Sequence, residues 1–230
     1  MKALIFDVDG TLAETEDLHR RSFNAAFAEI GLKWEWDTEV NRGLLSVSGG
    51  LERMSFFQER LPETERVPAD VLKAVHAAKR RNYAQMLAGG ALSLRPGVWE
   101  LLEAAGQAGL KRAVVTAASR ESFDALANGC LPVPAEDIFE TIITGDDVTR
   151  KKPDPQGYLL ALERLGLDAS DALVFEDSPV GHAAARAAGI RTVVTPSPDG
   201  PLGGDFGGSL VLPSLEPANW SAFGFPPAAT

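Results

Sequence analysis

Short apolar runs alternate with longer stretches of mixed polarity along most of the chain. The runs predict five buried strands, at residues 3–6, 113–116, 141–144, 172–175 and 192–195. Between the later strands, apolar residues recur at helical spacing, and helix signals include the Pro96-Gly97 start and the Gly166 stop. Strands that alternate with helices favour an α/β fold, in which helices cover both faces of a parallel sheet.

The longest interruption of this alternation lies between the first two predicted strands. It spans about a hundred residues, far more than the roughly 10 to 15 of one crossover helix. Two amphipathic faces indicate that it is helical: Leu18, Phe23, Phe27 and Ile30 form one, and Leu72, Val75, Tyr83 and Met86 form the other. We therefore predict a Rossmann-like core, residues 1–14 and 93–230, with an inserted all-helical cap, residues 15–92.

The connections around this insertion and after the last strand have their own composition. The chain is expected to cross between cap and core at residues 12–15 and 88–95, with Gly89-Gly90 as a hinge. Proline and glycine are frequent after residue 196, and only residues 210–212 resemble another strand. We expect an ordered loop there, followed by a loose tail.

Composition excludes several classes of partner. The net charge of −10 and the lack of a long basic run argue against nucleic acid and against anionic membranes. The chain has no leader-like segment and no stretch near ~18 continuous apolar residues, so we expect a cytoplasmic protein without a membrane partner. We also expect a monomer. A single cysteine, Cys130, excludes an internal disulfide, and we expect it to be buried and inert.

The chemistry is concentrated where the first predicted strand ends, in the sequence Asp-Val-Asp-Gly-Thr at residues 7–11. Asp7 and Asp9 reach the carboxyl edge of the sheet, where open α/β sheets bind ligands. Their oxygen atoms suit Mg²⁺. The pattern disfavours a calcium-binding loop, because such a loop needs glycine and glutamate where this chain has Leu12 and Leu18.

Three further elements fall at or near the carboxyl ends of other predicted strands: Thr116, Lys152 before Pro153, and the pair Glu176-Asp177. Each has an ordinary explanation alone, as a strand-end threonine, a surface lysine or a pair of helix-capping residues. Together with the aspartates they supply what phosphoryl transfer needs: a nucleophile, a cation site, a fixed positive charge, a hydroxyl donor and a proton source. Their joint occurrence predicts that chemistry.

The order and placement of these motifs resemble the haloacid dehalogenase superfamily, and the resemblance covers nearly the whole chain. It implies a Mg²⁺-dependent phosphatase that forms an aspartyl-phosphate, with Asp7 as nucleophile and Asp9 as general acid and base. It also implies that Thr116 and Lys152 hold the phosphoryl oxygens. The implied metal ligands are Asp7, Asp9, Glu176 and Asp177.

Segments of the predicted cap and its border, at residues 14–19, 34–37, 48–53 and 94–98, resemble the CbbY branch, which is close to the β-phosphoglucomutases. The resemblance implies hydrolysis of a sugar phosphate, with xylulose-1,5-bisphosphate, an inhibitory by-product around Rubisco in the Calvin cycle, as the leading substrate. A β-phosphoglucomutase or a broad sugar-phosphate phosphatase are the enzymatic alternatives. A non-catalytic sugar-phosphate sensor is the alternative of another class.

Substrate contacts are predicted for five residues: Glu16, His19, Arg53, Lys79 and Ala117. Lys79 also stands out by pattern, because it places a charge in the apolar stripe of its helix. Two positions depart from the family: Leu51 stands where CbbY proteins usually have lysine, and Ala118 where a hydroxyl is common. Both remove potential anion contacts, for which Arg53 or Arg20 could compensate.

Overall fold

The computed structural model describes residues 1–47, 49–89, 92–200 and 205–226. Six strands form one parallel sheet: β1 (Ala3–Phe6), β2 (Lys111–Val115), β3 (Thr141–Ile143), β4 (Ala172–Glu176), β5 (Arg191–Val194) and β6 (Leu210–Val211). Their order across the sheet is β3-β2-β1-β4-β5-β6. Central β1 lies between β2 and β4, at the point where the strand order reverses and where such sheets bind ligands. The predicted α/β fold is confirmed.

Helices cover both faces of this sheet and form the insertion. The insertion contains α1 (Glu16–Ile30), α2 (Thr38–Leu44), α3 (Gly50–Gln58), a 3₁₀ turn (Glu63–Glu65) and α4 (Ala69–Ala88). The core contains α5 (Val98–Gln107), α6 (Arg120–Cys130), α7 (Ala135–Ile138), α8 (Gln156–Leu165), α9 (Pro179–Ala187) and 3₁₀ segments at Ala169–Asp171 and Pro217–Phe223. No helix in the described ranges is both long and apolar enough to cross a bilayer.

The insertion has an apolar core of its own, built around Phe23, Phe27, Trp36, Met54 and Val75. Two other clusters lie on the two faces of the sheet. The amino end of α1 and the carboxyl end of α4 pack into one of these two clusters, through Leu18 and through Tyr83 and Leu87 respectively. Residues 15–92 remain the proposed extent of the cap, and Gly90 of the predicted hinge lies outside the described residues.

Two expectations about side-chain environment are wrong. Ile30, predicted on the apolar face of its helix, is 38% exposed, because α1 ends there and Gly31 turns the chain away. Cys130, predicted to be buried, is half-buried at the end of α6. Burial raises the pKa of its thiol, which disfavours the reactive thiolate.

The predicted loose tail is also wrong as far as residue 226. The 3₁₀ segment Pro217–Phe223 buries Trp220 and Phe223 against the sheet, and Phe225 is buried beside them. The Trp220 Nε1–H donates to the Leu215 carbonyl oxygen at 2.6 Å. Aromatic residues spaced among proline and glycine bury a large area without any periodic pattern, which explains why the sequence suggested disorder. Residues 227–230 lie outside the described residues.

Candidate active site

The predicted site residues meet in one cleft, between the carboxyl ends of β1, β2 and β4 and the underside of the insertion. The cleft has a volume of about 230 Å³. Every predicted site residue except Glu176 lines it: Asp7, Asp9, Glu16, His19, Arg53, Lys79, Thr116, Ala117, Lys152 and Asp177.

A glycine turn makes this convergence possible after β1. Gly10 has a φ of +81°, which favours glycine, and a side chain there would collide with the carboxylate of Asp177. The turn closes inward, because Val8 O accepts hydrogen bonds from the N–H groups of Thr11, Leu12 and Ala13. Asp9 and Asp177 can therefore face the same space.

Asp7 is held by a buried ion pair. Lys152 Nζ lies 2.6 Å from Asp7 Oδ1 and 2.6 Å from Glu176 Oε1. Burial would lower the pKa of Lys152, but Asp7 and Glu176 together raise it well above its ordinary value, so the ammonium stays charged. Burial and the nearby Glu176 raise the pKa of Asp7 to about 7, with Lys152 opposing them.

Three buried carboxylates share this end of the cleft. Asp7, Glu176 and Asp177 each offer an oxygen, and these oxygens lie within 4.8 Å of one another. The pKa of Asp177 is raised well above its ordinary value by burial, then by Asp7 and Glu176. Three buried acids around one lysine cannot all be ionised without a further cation, and oxygen donors of this kind fit Mg²⁺.

Glu176 differs from the other two carboxylates because its oxygens are already used. Besides Lys152, Oε1 accepts the Tyr158 hydroxyl at 2.7 Å. Oε2 accepts the Asp177 N–H at 3.2 Å and the Ser178 hydroxyl at 3.3 Å. The predicted ligand Glu176 thus sits behind Lys152, fully buried, and fixes that lysine.

Residues of the insertion form hydrogen bonds with the carboxylate of Asp9. Its Oδ1 accepts the Thr15 hydroxyl at 2.7 Å and lies 2.8 Å from His19 Nε2. Burial alone would raise the pKa of Asp9, but His19 and the hydrogen bonds from His19 and Thr15 outweigh it and hold the pKa well below its usual range. Asp9 is therefore a carboxylate in this arrangement.

A second hydrogen bond fixes the tautomer of His19. Lys79 Nζ lies 2.8 Å from His19 Nδ1, and the imidazole stacks on the Tyr83 ring at 4.3 Å. Burial and Lys79 lower the pKa of His19, while burial lowers that of Lys79 to about 8. A charged Lys79 donates to Nδ1, so neutral His19 carries its hydrogen on Nε2 and donates it to Asp9. Both predicted substrate ligands thus act on Asp9 as well as lining the cleft.

Thr116 and its neighbours form the floor beside Asp9. The Ala118 N–H donates to Thr116 Oγ1 at 3.0 Å, which leaves the hydroxyl hydrogen able to point into the cleft. Thr116 Oγ1 is 3.5 Å from Asp9 Oδ2. Although Ala118 lacks the hydroxyl common in the family, its main chain orients Thr116.

On the side of the insertion, Glu16 and Arg53 face the cleft. Glu16 is buried, and its Oε2 accepts no hydrogen bond within the described residues. Arg53 Nη1 is 3.7 Å from that oxygen, and Arg53 Nε donates to the Val47 carbonyl oxygen at 2.9 Å. This pair offers an acceptor and a cation to a polar ligand.

Leu51 does not face this cleft, because it packs against the apolar core of the insertion. Arg20, predicted as a compensating cation, is also turned away and pairs with Asp17 at 2.7 Å. Two cations that the sequence analysis did not select, Arg80 and Lys151, line the cleft with Arg53 and Lys79, and so does His76. Burial, Lys79 and Arg80 lower the pKa of His76 to about 4, which favours the neutral imidazole. The spacing of His76, three residues before Lys79 on α4, was the available signal.

Comparisons with known proteins identify the family of the chain. Residues 1–189 match the family model for haloacid dehalogenase-like hydrolases. The chain is 50% identical over 198 residues to the CbbY protein of Rhodobacter capsulatus, covering 86% of each protein. It is 47% identical over 222 residues to the plasmid-encoded CbbY protein of Cupriavidus necator, covering 95% of this chain and 87% of that one.

Among solved structures, a variant of CbbY from Rhodobacter sphaeroides in complex with xylulose-(1,5)bisphosphate matches with a TM-score of 0.88 and 39% identity. The match covers 94% of this chain and 95% of that one. The same protein in complex with phosphate matches with a TM-score of 0.87 and 40% identity. The chain therefore belongs to the haloacid dehalogenase-like hydrolases, as a phosphatase related to the CbbY proteins.

Proposed function

We propose that this protein is a Mg²⁺-dependent phosphatase that hydrolyses xylulose-1,5-bisphosphate to xylulose-5-phosphate through an aspartyl-phosphate on Asp7. The observation that carries the proposal is the convergence of Asp7, Lys152 and Asp177 at one end of a cleft, with Asp9 beside them. The similarity to a CbbY structure that holds this bisphosphate supports the choice of substrate.

In the first step, a carboxylate oxygen of Asp7 attacks phosphorus and the bond from phosphorus to the sugar oxygen breaks. Lys152 and the Thr116 hydroxyl stabilise the charge on the phosphoryl oxygens. Asp7, Asp177 and the main-chain carbonyl of Asp9 would hold Mg²⁺, which supplies positive charge against those same oxygens. Glu176, whose oxygens are already hydrogen-bonded, serves mainly to orient Lys152.

Asp9 moves the proton in both steps. It gives a proton to the departing sugar alkoxide, and it later takes one from the water that attacks phosphorus and releases phosphate from Asp7. Thr15 and His19 hold Asp9 as the carboxylate, which is the form that activates water. Its acid form requires that one of these contacts lengthens when substrate is bound.

The insertion recognises the rest of the substrate and excludes water. Arg53 provides a cation for the distal phosphate, and Glu16 provides an acceptor for a sugar hydroxyl. The insertion also contacts the core directly: Arg42 Nη2 donates to the Pro198 carbonyl oxygen at 3.1 Å, and Lys151, which lines the cleft, lies 3.6 Å from Glu52. A closed cleft keeps bulk water away from the acyl-phosphate and strengthens the electrostatic interactions between the acyl-phosphate and the protein.

The direct test is steady-state phosphate release from xylulose-1,5-bisphosphate, fructose-1,6-bisphosphate, β-glucose-1-phosphate and phosphoglycolate, with and without Mg²⁺. We expect the highest kcat/KM for xylulose-1,5-bisphosphate, and activity only with the metal. A flat profile would favour a broad phosphatase, which the 33% identity to a phosphorylated carbohydrates phosphatase of Thermotoga maritima makes the second candidate. Conversion of β-glucose-1-phosphate to its 6-phosphate isomer would indicate a mutase, and binding without turnover would indicate a sensor.

The carboxylate cluster gives an expected pH dependence of stability in metal-free protein. The pKa of Asp7 is about 7 in the folded chain against an ordinary 3.8, so the folded state binds the proton more tightly. The contribution of Asp7 to stability should therefore fall as pH rises through that window, whereas the contribution of His76, whose pKa burial lowers to about 4 from an ordinary 6.5, should rise between those two values. Added Mg²⁺ should raise the midpoint most above pH 7, as measured by differential scanning fluorimetry in EDTA and in Mg²⁺. An unchanged midpoint in Mg²⁺ at pH 7.5 would contradict the metal assignment.

Substitution of Lys79 tests the contact between Lys79, His19 and Asp9. Lys79→Met removes the donor to His19 Nδ1, so the imidazole loses its fixed tautomer. We expect kcat/KM to fall about 10- to 100-fold, the effect of losing one hydrogen bond from a charged group. Lys73→Met is the matched control, since Lys73 is exposed on the same helix. Equal kcat/KM values in the two variants would show that Lys79 does not contribute to the reaction.

A further inference from the structure

A buried arginine outside the cleft binds the turn that carries Asp9. Arg95 lies just before the Pro96-Gly97 start of α5, where the chain returns from the insertion, and its side chain is 7% exposed. Its Nη1 donates to the Gly10 carbonyl oxygen and, at 2.6 Å, to that of Thr195. Its Nη2 donates to the Pro196 carbonyl oxygen at 3.1 Å, and its Nε lies 2.7 Å from Glu14 Oε1.

These contacts join both crossings to the loop after β5. Glu14 belongs to the outgoing crossing, and its Oε2 accepts the Ser197 hydroxyl at 2.6 Å. The crossings also pair directly, since the Arg95 N–H donates to the Leu12 carbonyl oxygen at 2.8 Å. One guanidinium thus contacts three segments, two of which are also joined by main-chain pairing between Ala13 and Leu94.

We propose that Arg95 is a positioning residue that sets the Asp9-Gly10 turn for proton transfer to the leaving group. The turn is held from inside by the Val8 carbonyl oxygen and from outside by Arg95 at the Gly10 carbonyl oxygen. Gly10 has a positive φ and no side chain, so at this residue only the main-chain groups can be held in place. The inference rests on the proposed phosphatase chemistry, in which Asp9 protonates the sugar oxygen.

Lysine cannot replace this arginine. The guanidinium places its donors in a fixed planar fork that reaches several acceptors at once, whereas an ammonium is a single point on a flexible chain. Arg95→Lys therefore keeps the positive charge beside Glu14. It cannot donate hydrogen bonds to the Gly10, Thr195 and Pro196 carbonyl oxygens at the same time. The variant changes geometry more than electrostatics.

The test compares the hydrolysis of two phosphate esters in Mg²⁺ that differ in whether their leaving group needs a proton. The quantity compared is kcat/KM, because it reports the steps up to release of the alcohol. The best sugar phosphate needs a proton for its leaving group, and p-nitrophenyl phosphate releases an anion that does not. For Arg95→Lys we expect kcat/KM to fall about tenfold or more on the sugar phosphate and less than about threefold on the nitrophenyl ester. The ratio of the two values does not depend on how much of the variant is folded.

Two control variants separate position from charge and from general stability. Glu14→Gln leaves the carbonyl contacts of Arg95 in place and should leave the ratio unchanged. Arg112→Lys removes a half-buried arginine at the opposite end of β2 and should also leave it unchanged. Equal losses on both esters in Arg95→Lys would overturn this inference alone. A wild-type protein inactive on both esters would overturn the proposed chemistry and this inference with it.

Discussion

Asp7→Asn is expected to abolish phosphate release, with a loss on the order of 10⁴-fold or more, because the amide cannot form the acyl-phosphate. The fold should survive, since the substitution removes one negative charge from a buried group that also contains Glu176 and Asp177. In metal-free protein the thermal midpoint of Asp7→Asn, taken relative to that of the wild type, should rise between about pH 4 and pH 7, because the variant lacks the Asp7 titration.

The same variant should also lose most of the Mg²⁺-dependent thermal shift, because a ligand carboxylate is gone. Asp124→Asn provides the control, as Asp124 lies on the exposed side of α6. Turnover in Asp7→Asn within about tenfold of the wild type would exclude a covalent intermediate at this residue.

Asp9→Asn is expected to lower kcat by roughly 10²- to 10⁴-fold, the usual contribution of a general acid and base. It should retain the Mg²⁺-dependent thermal shift, since we propose that Asp9 binds the metal through its main-chain carbonyl. The contrast between a lost shift in Asp7→Asn and a retained shift in Asp9→Asn separates the two roles without any assay of turnover. A variant of Asp9 with unchanged kcat would show that another group moves the proton.

The strands could be predicted because a parallel sheet covered on both faces needs nearly continuous apolar runs. The prediction missed the polar start of β2, where Lys111 and Arg112 extend beyond the covered region, the exposed first residue of β5, Arg191, and the last residue of β4. That residue, Glu176, is a fully buried charge that no apolar pattern can include. Its burial depends on Lys152 and Tyr158, which are brought to it by the fold.

The motif residues were predictable because the carboxyl ends of neighbouring parallel strands lie at the same edge of the sheet. Their partners were harder to find. Lys79 was visible as a charge within an apolar stripe, but its contact with His19 crosses sixty positions and depends on how α1 packs against α4. Arg95 had no periodic signal, since a guanidinium that binds main-chain carbonyls leaves no partner residue type in the sequence.

The separate apolar core of the insertion has an evolutionary consequence. Substitutions around Phe23, Trp36 and Met54 can reshape the surface that meets the sugar without disturbing the packing beneath β1, so substrate choice can change while the reaction stays the same. The packing of the insertion is not independent of the sheet at Leu18, Tyr83 and Leu87, because these residues belong to the apolar cluster on one face of the sheet. Tyr83 also supports the imidazole that binds Asp9, so a change of substrate that shifts this tyrosine would alter the chemistry as well.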